Sequence, residues 1–382
     1  MSIYIHIPFC TTICSYCDFC KRIYDKKYVD KYLLELKNEI ESNYKEEVVK
    51  TIYIGGGTPT SLDLEQLDKL LTITNILNKD KNYEFTIECN VDSLDEEKIR
   101  LFNKYGINRV SIGIESFDKN NLSFLNRTCN YKEVKEKIKL LNKYSINNIN
   151  VDLIYAIPCE TLKVLKKDLE LISKLKIKHV STYSLIIEDN TCLKIKGIKN
   201  IDEELDYKMY NLICSYLKKH GFVHYEISNF AKKWYFSKHN LTYWNNNEYY
   251  GFGLGASGYI NNVRYSNTRS LTNYLKGCYR LEEENMTKVT NKENELMLGL
   301  RKIKGVNKKE FYNKYNEKLE EKEIIRKLLK EGKLKQNKEY IYINKKYIYT
   351  SNNILVDIIG EIWIKHLKKN THILRIKNIE II

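Results

Sequence analysis

Four cysteines stand within eleven residues near the amino end: Cys10, Cys14, Cys17 and Cys20. As thiolates, such side chains are ligands for zinc and iron. The spacing Cys10-x3-Cys14-x2-Cys17 puts three thiolates on one short loop. Three can hold three irons of a cubic [4Fe–4S] cluster and leave the fourth iron open to an outside chelate. Structural zinc asks for two separated Cys-x2-Cys pairs, or cysteine with histidine, and no second pair follows. Cys20 keeps another count open, since Cys14-x2-Cys17-x2-Cys20 supplies a fourth thiol. Zinc, a four-cysteine cluster and incidental thiols are the competing readings. Cys89, Cys129, Cys159, Cys192, Cys214 and Cys278 are scattered singly and read as buried thiols.

Other polar residues gather at predictable places. Gly55, Gly56, Gly57 and Thr58 precede Pro59, and glycines let a ligand approach backbone amides closely. A tight strand-to-loop turn uses the same residues. Glu88, Asn90, Glu115, Ser116, Asp152 and Glu188 each fall at or near the end of a strand-like run. Pro8, Pro59 and Pro158, the only prolines, mark three loops of this kind.

These positions depend on the elements around them. The runs 2–7, 50–55, 83–89, 108–114, 148–155 and 179–187 are rich in β-branched and aromatic residues and predict strands. Helical periodicity predicts helices over Lys27–Tyr44, Leu64–Leu77, Asp95–Tyr105, Asp118–Tyr144, Thr161–Leu175 and Glu203–His220. Strands alternating with helices imply parallel strands in an α/β layer or barrel. Active sites of such barrels lie at the carboxyl ends of the strands, where the polar residues fall. Residues 225–264 read as a long ordered loop region or one further strand with loops. Beyond them, helices over Asn294–Arg301, Leu319–Leu329 and Ile354–Lys368, with a hairpin of EYIYIN and YIYT, predict a small winged-helix-like α+β domain. The expected organisation is a core over 1–230, a ligand-side region over 231–285 that completes it, and a C-terminal domain over 286–382.

Composition narrows the class. The chain has 382 residues and 43% hydrophobic residues, which excludes a disordered polymer. No apolar run approaches the ~18 residues of a membrane span, and the start has no secretory signal pattern. A cytoplasmic protein is expected. The net charge of +15 comes from 64 basic and 49 acidic residues. Lysines alternate with glutamates along predicted helices, so solubility explains them better than a specific nucleic-acid partner.

The motifs together resemble the radical S-adenosylmethionine (SAM) proteins. YIHIPFC, GGGTPT, INRVSIGIESF, INNINVDLIYAIP, HVSTYSLIIE, YEISNFA, HNLTYW, GFGLGA and ELMLGLR run in this order. They are similar to the HemW and HemN group of haem chaperones and oxygen-independent coproporphyrinogen III oxidases. The resemblance implies a partial (β/α)6 barrel with a [4Fe–4S] cluster on Cys10, Cys14 and Cys17. It also implies SAM contacts at Tyr4, Tyr16, Gly56, Gly57, Thr58, Glu88, Glu115, Arg127, Asp152 and Ile186. Arg127 suits a bidentate grip on a carboxylate, and the acidic residues suit hydroxyl or amino donors.

HNLTYW separates the two branches. It is similar to the H-N-x-x-Y-W motif of the chaperones, and the resemblance implies haem b as cargo at His239, Tyr243 and Trp244. An imidazole is a common axial haem ligand, and aromatic rings pack on a porphyrin face. A satisfied polar histidine beside a tryptophan core anchor is the plain alternative. The oxidases carry a fourth cysteine two residues past the third; here that position is Phe19. The oxidases also have a long extension before the cluster. Both departures favour a chaperone that passes haem to acceptor proteins, with the membrane surface as one place of delivery and a homodimer left open. The alternative is the radical oxidative decarboxylation of coproporphyrinogen III. Three further departures are Glu115 in place of glutamine, Leu125-Asn126-Arg127-Thr128-Cys129 where the family often has a histidine after Leu-Gly-Arg, and Ser257-Gly258 in place of His-Ser, which removes a second imidazole.

Overall fold

The computed structural model describes residues 1–366. The chain divides into two compact units. The first takes Met1–Val223, Ser228–His239 and Glu248–Glu284; the second takes His224–Ile227, Asn240–Asn247 and the chain from Asn285 onward.

The strands are β1 (Ser2–Ile7), β2 (Phe9–Cys10), β3 (Arg22–Ile23), β4 (Val49–Gly56), β5 (Lys79–Asn90), β6 (Arg109–Glu115), β7 (Asn148–Tyr155), β8 (His179–Ser184), β9 (Val223–Glu226), β10 (Asn229–Ala231), β11 (Tyr249–Phe252), β12 (Ser257–Ile260) and β13 (Val263–Asn267). The helices are α1 (Lys26–Asn43), α2 (Leu64–Ile73), α3 (Glu96–Lys104), α4 (Lys119–Leu125), α5 (Tyr131–Lys143), α6 (Leu162–Ser173), α7 (Cys192–Ile195), α8 (Glu203–Lys219) and α9 (Lys238–Trp244). β1, β4, β5, β6, β7 and β8 lie side by side in chain order, all parallel. This is the strand order of a partial (β/α)6 barrel. β11 adds a parallel neighbour on the free side of β1, and β12 and β13 follow it antiparallel.

Strand residues alternate faces. One face carries Ile3, Ile5, Ile7, Ile52, Ile54, Phe85, Ile87, Val110, Ile112, Ile149 and Val151, all buried. Each such side chain contributes about 1.5–3 kcal/mol on burial. The connecting helices carry matching buried stripes, such as Leu67, Leu70 and Leu71 on α2. The other face is polar and also buried: Ser2, Tyr4 and His6; Thr51 and Tyr53; Glu84 and Thr86; Arg109 and Ser111; Asn150; His179 and Ser181. Cross-strand register places these residues in rows, such as Tyr4–Tyr53–Thr86–Arg109.

Capping explains the helix starts. Asp25, Asp63, Asp95, Asp118, Asn130, Thr161 and Asp202 each accept an amide of the following first turn.

The structure corrects several sequence expectations. The single helix expected over Asp118–Tyr144 is two, because Asn126 ends α4 in a left-handed cap at φ 54° and Asn130 opens α5. The sixth strand stops at Ser184, and α2 ends at Ile73 in a 3-10 turn. Residues 225–264 hold helix α9 and several strands where a loop region or one further strand with loops was expected. Of the six scattered cysteines only Cys89 is buried; Cys159, Cys192 and Cys278 are exposed.

In the second unit, Lys288–Gly299, Lys308–Tyr315 and Glu323–Lys330 are helices. Val306–Asn307, Tyr340–Ile343 and Leu334–Gln336 form a three-stranded antiparallel sheet in that spatial order. Helix, strand, two helices and a hairpin is the winged-helix order of elements. The hairpin is Leu334–Gln336 with Tyr340–Ile343, not EYIYIN with YIYT, because Lys345–Tyr347 turns as a 3-10 helix. The last helix is Ser351–His366, so the expected end at Lys368 lies outside the described residues.

Glu39 ties α1 to the strands beyond β11. It is fully buried and accepts from the Gly253 amide at 2.8 Å, Asn267 Nδ2 at 2.6 Å and Tyr274 Oη at 2.6 Å. Glu39→Ala leaves these buried donors without their acceptor and is expected to cost about 3 kcal/mol. Glu39→Gln, which keeps one accepting oxygen, should cost less. Urea unfolding of both variants checks the order.

Candidate functional site

The Cys10–Cys17 loop is held at both ends by backbone that would otherwise lack partners. α4 ends with free carbonyls, as every helix does. The Ser15 amide donates to Leu125 O at 3.1 Å and its hydroxyl to Phe124 O at 2.8 Å. Asn126 Nδ2 donates to Ile13 O at 2.8 Å. On the other side, the Arg22 amide bonds Pro8 O and the Tyr24 amide bonds Cys10 O, which makes the short parallel pair β2–β3. The break between α4 and α5 therefore seats the loop.

Cys10 and Cys14 each face a donor. Thr58 Oγ1 lies 3.8 Å from Cys10 Sγ, and Arg127 Nη1 lies 3.9 Å from Cys14 Sγ. Burial pushes all three thiols up, Cys17 to about 12, with Arg127 and Lys21 pulling the other way. Metal binding must therefore expel their protons. Cys20 sits apart from this set. Its sulfur lies against Gly255 beside the Arg269 side chain, and its carbonyl accepts from His6 Nε2 at 2.7 Å. Among the described residues no three His, Cys, Asp or Glu side chains converge as ligands of a single ion. Three thiols on one loop, with Cys20 turned away, suit a cubane in which each cysteine meets a different iron.

The glycine loop works by space, not by free amides. The amides of Gly56, Gly57 and Thr58 already donate to Glu88 Oε2, Ile7 O and Phe9 O. A side chain on Gly55 would lie 2.7 Å from the Glu88 carboxyl carbon. One on Gly56, where φ is +117°, would lie 2.5 Å from the His6 ring. One on Gly57 would lie 2.8 Å from Phe9 O and 2.9 Å from Cys10 Sγ.

Glu115 ends β6 at a register shift with φ 53°, a left-handed conformation that costs a non-glycine residue energy. Its partners hold it there. Arg127 Nε and Tyr16 Oη donate to its two oxygens at 3.0 and 3.2 Å. Only 10% of the Arg127 side chain and 8% of the Glu115 side chain is exposed. Burial pushes the Glu115 carboxyl up, and Arg127 opposes that. Arg127 Nη2 also donates to Asn90 Oδ1 at 2.9 Å and Gly113 O at 3.1 Å. A cleft of about 630 Å³ opens beside this group, lined by Cys14, Asn90, Lys119, Asn126, Arg127 and Cys129.

Glu88 accepts from Tyr53 Oη at 2.7 Å and the Gly56 amide at 3.0 Å, and burial raises its carboxyl to about 7. Tyr4 Oη lies 2.9 Å from His6 Nδ1. His6 is kept neutral by burial, with its pKa near 4, so Nε2–H donates to Cys20 O and Nδ1 accepts from Tyr4. Asp152 accepts from Ser111 Oγ at 2.9 Å and Asn150 Nδ2 at 2.8 Å; burial raises its carboxyl too.

The structure thus places Cys10 beside Thr58 and Cys14 beside Arg127, with Glu115 on the same guanidinium and Tyr16 on Glu115, and joins Tyr4, Gly56 and Glu88 through His6 and Tyr53. Ile186 lies past β8 and is 58% exposed. His239 is elsewhere. Its backbone amide and that of Lys238 donate to Glu84, and Nδ1 bonds Thr51 Oγ1 at 2.8 Å. Thr51 and Glu84 stand toward the opening ends of β4 and β5, not at the cysteine end. Its ring is wholly buried against Tyr53, and burial with Arg109 nearby lowers its pKa to about 3. Tyr243 and Trp244 belong to the second unit and are buried; Arg301 lies 5.7 Å from the Trp244 ring.

Tyr53, His6 and Arg109 were missed as site residues. Their signal is the alternation of polar with apolar residues in SIYIHI, KTIYIG and NRVSIGI, which marks a second buried face.

A family model described as the radical SAM superfamily matches residues 4–172. "Heme chaperone HemW" of Lactococcus lactis is 39% identical, covering 92% of this chain and 96% of that protein. The Bacillus subtilis protein of the same name is 37% identical, covering 94% and 100%. Among solved structures, coproporphyrinogen III oxidase (HemN) from Escherichia coli superposes with a TM-score of 0.82. It is 18% identical and covers 94% of this chain and 89% of that one.

Gly57→Ala must displace Phe9 O and Cys10. The variant is expected to stay folded by circular dichroism and to lose most of its iron and sulfide on anaerobic reconstitution. Full loading would show that the loop yields freely.

Proposed function

This chain belongs to the radical SAM superfamily, within the heme chaperone family HemW, and on that footing we propose that it carries a [4Fe–4S] cluster and SAM, binds haem b and passes it to acceptor proteins. The observation that carries the reading is likeness to the chaperones over nearly the whole length of both chains. The oxidase likeness is one of fold. Phe19, where the oxidases have a cysteine, supports the same choice.

Cys10, Cys14 and Cys17 would hold the cluster. When bound, it would supply a low-potential electron and an open iron for the amino and carboxylate groups of SAM. The chain's own residues orient that ligand. Arg127, fixed by Glu115 and Asn90, offers guanidinium donors to a carboxylate. Tyr16 closes over the Glu115 side. Glu88 and Asp152 present acceptors for hydroxyl or amino groups, with Tyr4 behind them. Gly56, Gly57 and Thr58 allow close approach of backbone, and Ile186 offers apolar cover.

Haem would be taken at the segment of His239, Tyr243 and Trp244. His239 then has to leave Thr51 and Tyr53 to reach iron, so haem uptake includes an opening of α9. Among the described residues no helix is long and apolar enough to cross a membrane. Delivery at a membrane surface, aided by the net charge of +15, and a homodimer belong to the same proposal.

Anaerobic reconstitution of the wild type, Cys14→Ser and Cys20→Ser tests the cluster. About four irons per chain are expected in the wild type and Cys20→Ser, and far fewer in Cys14→Ser. Haem titration tests the cargo. The wild type should give a Soret band that is lost or shifted in His239→Ala; an unchanged band and affinity would remove His239 as the ligand.

A further inference from the structure

Tyr53 stands between two features that the function treats separately. It is buried in the middle of β4, 5% exposed. Its hydroxyl donates to Glu88 Oε1 at 2.7 Å, while the Gly56 amide holds Oε2 at 3.0 Å. Its ring lies against the His239 imidazole, with centroids 5.1 Å apart and planes 30° apart. His239 is fixed in turn by Thr51 at Nδ1 and by its amide on Glu84. One line of contacts therefore runs from Glu84 through His239 and Tyr53 to Glu88 and the glycine loop.

We propose that Tyr53 is a positioning residue that sets the Glu88 carboxylate for SAM and ties it to helix α9, so that a displacement of His239 is felt at the SAM site. The inference rests on the reading of Glu88 as a SAM-holding carboxylate. Tyr53 acts through Glu88, because its one hydroxyl is already committed there. A neutral hydrogen bond to a buried carboxylate both orients it and favours its charged form. The stack on His239 fixes the ring, and hence the place of the hydroxyl.

The pH dependence follows from the groups around Glu88. These are Tyr4 on β1, Tyr53 on β4, Cys89 on its own strand, Arg109 on β6 and Asp152 on β7. Burial and Asp152 raise the carboxyl to about 7; Tyr53, the Gly56 amide and Arg109 pull it down. Removing the Tyr53 hydroxyl removes one downward pull. Glu88 then ionises at higher pH, and binding that needs its charge appears later as pH rises.

The test measures SAM affinity of the cluster-loaded full-length protein by anaerobic calorimetry, from acid to alkaline pH. Tyr53→Phe, His239→Gln and Glu88→Gln are compared with the wild type, with melting temperatures as a control for folding. Near neutral pH, Tyr53→Phe is expected to weaken binding about fivefold, the order that one hydrogen bond carries. Its pH midpoint should move up, and its alkaline affinity should approach the wild type. A general loosening of the fold would not restore affinity at high pH. His239→Gln should move the midpoint the same way by a smaller amount.

Wild-type affinity and midpoint in Tyr53→Phe, with binding lost in Glu88→Gln, would overturn the inference and leave the site reading standing. A shifted Tyr53→Phe beside an unshifted His239→Gln would overturn the tie to α9. Wild-type binding in Glu88→Gln would instead overturn the reading of the site.

Discussion

The constraint on which this molecule depends is the two-residue period of its parallel strands. Burying both faces of a sheet normally calls for apolar residues on both. Here one face is Ile- and Val-rich, and the other is lined with tyrosine, histidine, glutamate, arginine and asparagine, almost all buried. Buried polar groups are costly unless each finds a partner. The inward face therefore has to be a connected network. Asn150 shows the density: its Nδ2 reaches Ser111, Asp152 and Ser181, and its Oδ1 accepts from His179 Nδ1. A network of this kind fixes side chains in single positions, which a site that must grip a charged ligand requires.

The same need for partners builds the cysteine loop. A loop that carries three thiols to one place has few side chains of its own to pack. It borrows the unsatisfied carbonyls at the end of α4 and the backbone of β3. The left-handed cap at Asn126 ends α4, and the chain after it delivers Arg127 to Cys14 and Glu115. Ending a helix, seating the cysteine loop and placing a cation are here one local event.

Much of this was legible in the sequence, and what was not has physical reasons. The six parallel strands and the polar residues at their ends follow from alternation and composition. The Asp118–Tyr144 pattern read as one helix because apolar spacing continues through the break. Only the paired asparagines at 126 and 130 mark it, as caps. The glycine loop read equally as a ligand cradle or a tight turn, because sequence shows which residues lack a Cβ, but not where their amides point. In the 225–264 region, side chains that pack by shape gave no periodic signal. α9 in particular is seven residues long and is started by Glu84, a residue more than 150 positions earlier.

The choice between chaperone and oxidase cannot rest on the backbone, since a chain 18% identical reaches a TM-score of 0.82 and shares the fold. A fold hosts chemistry; side chains on it decide which. At the cluster the informative position is Phe19, 44% exposed and unable to ligate iron. Its neighbour Cys20 has its carbonyl on His6 and its sulfur beside Gly255. The other informative position is His239. It is a buried neutral imidazole that completes the inward network through Thr51 and Tyr53. On the proposed reading it would meet a haem iron only by leaving those contacts, so haem capture would be an exchange of partners whose cost sets part of the affinity. A ligand offered at no internal cost would favour retention over transfer.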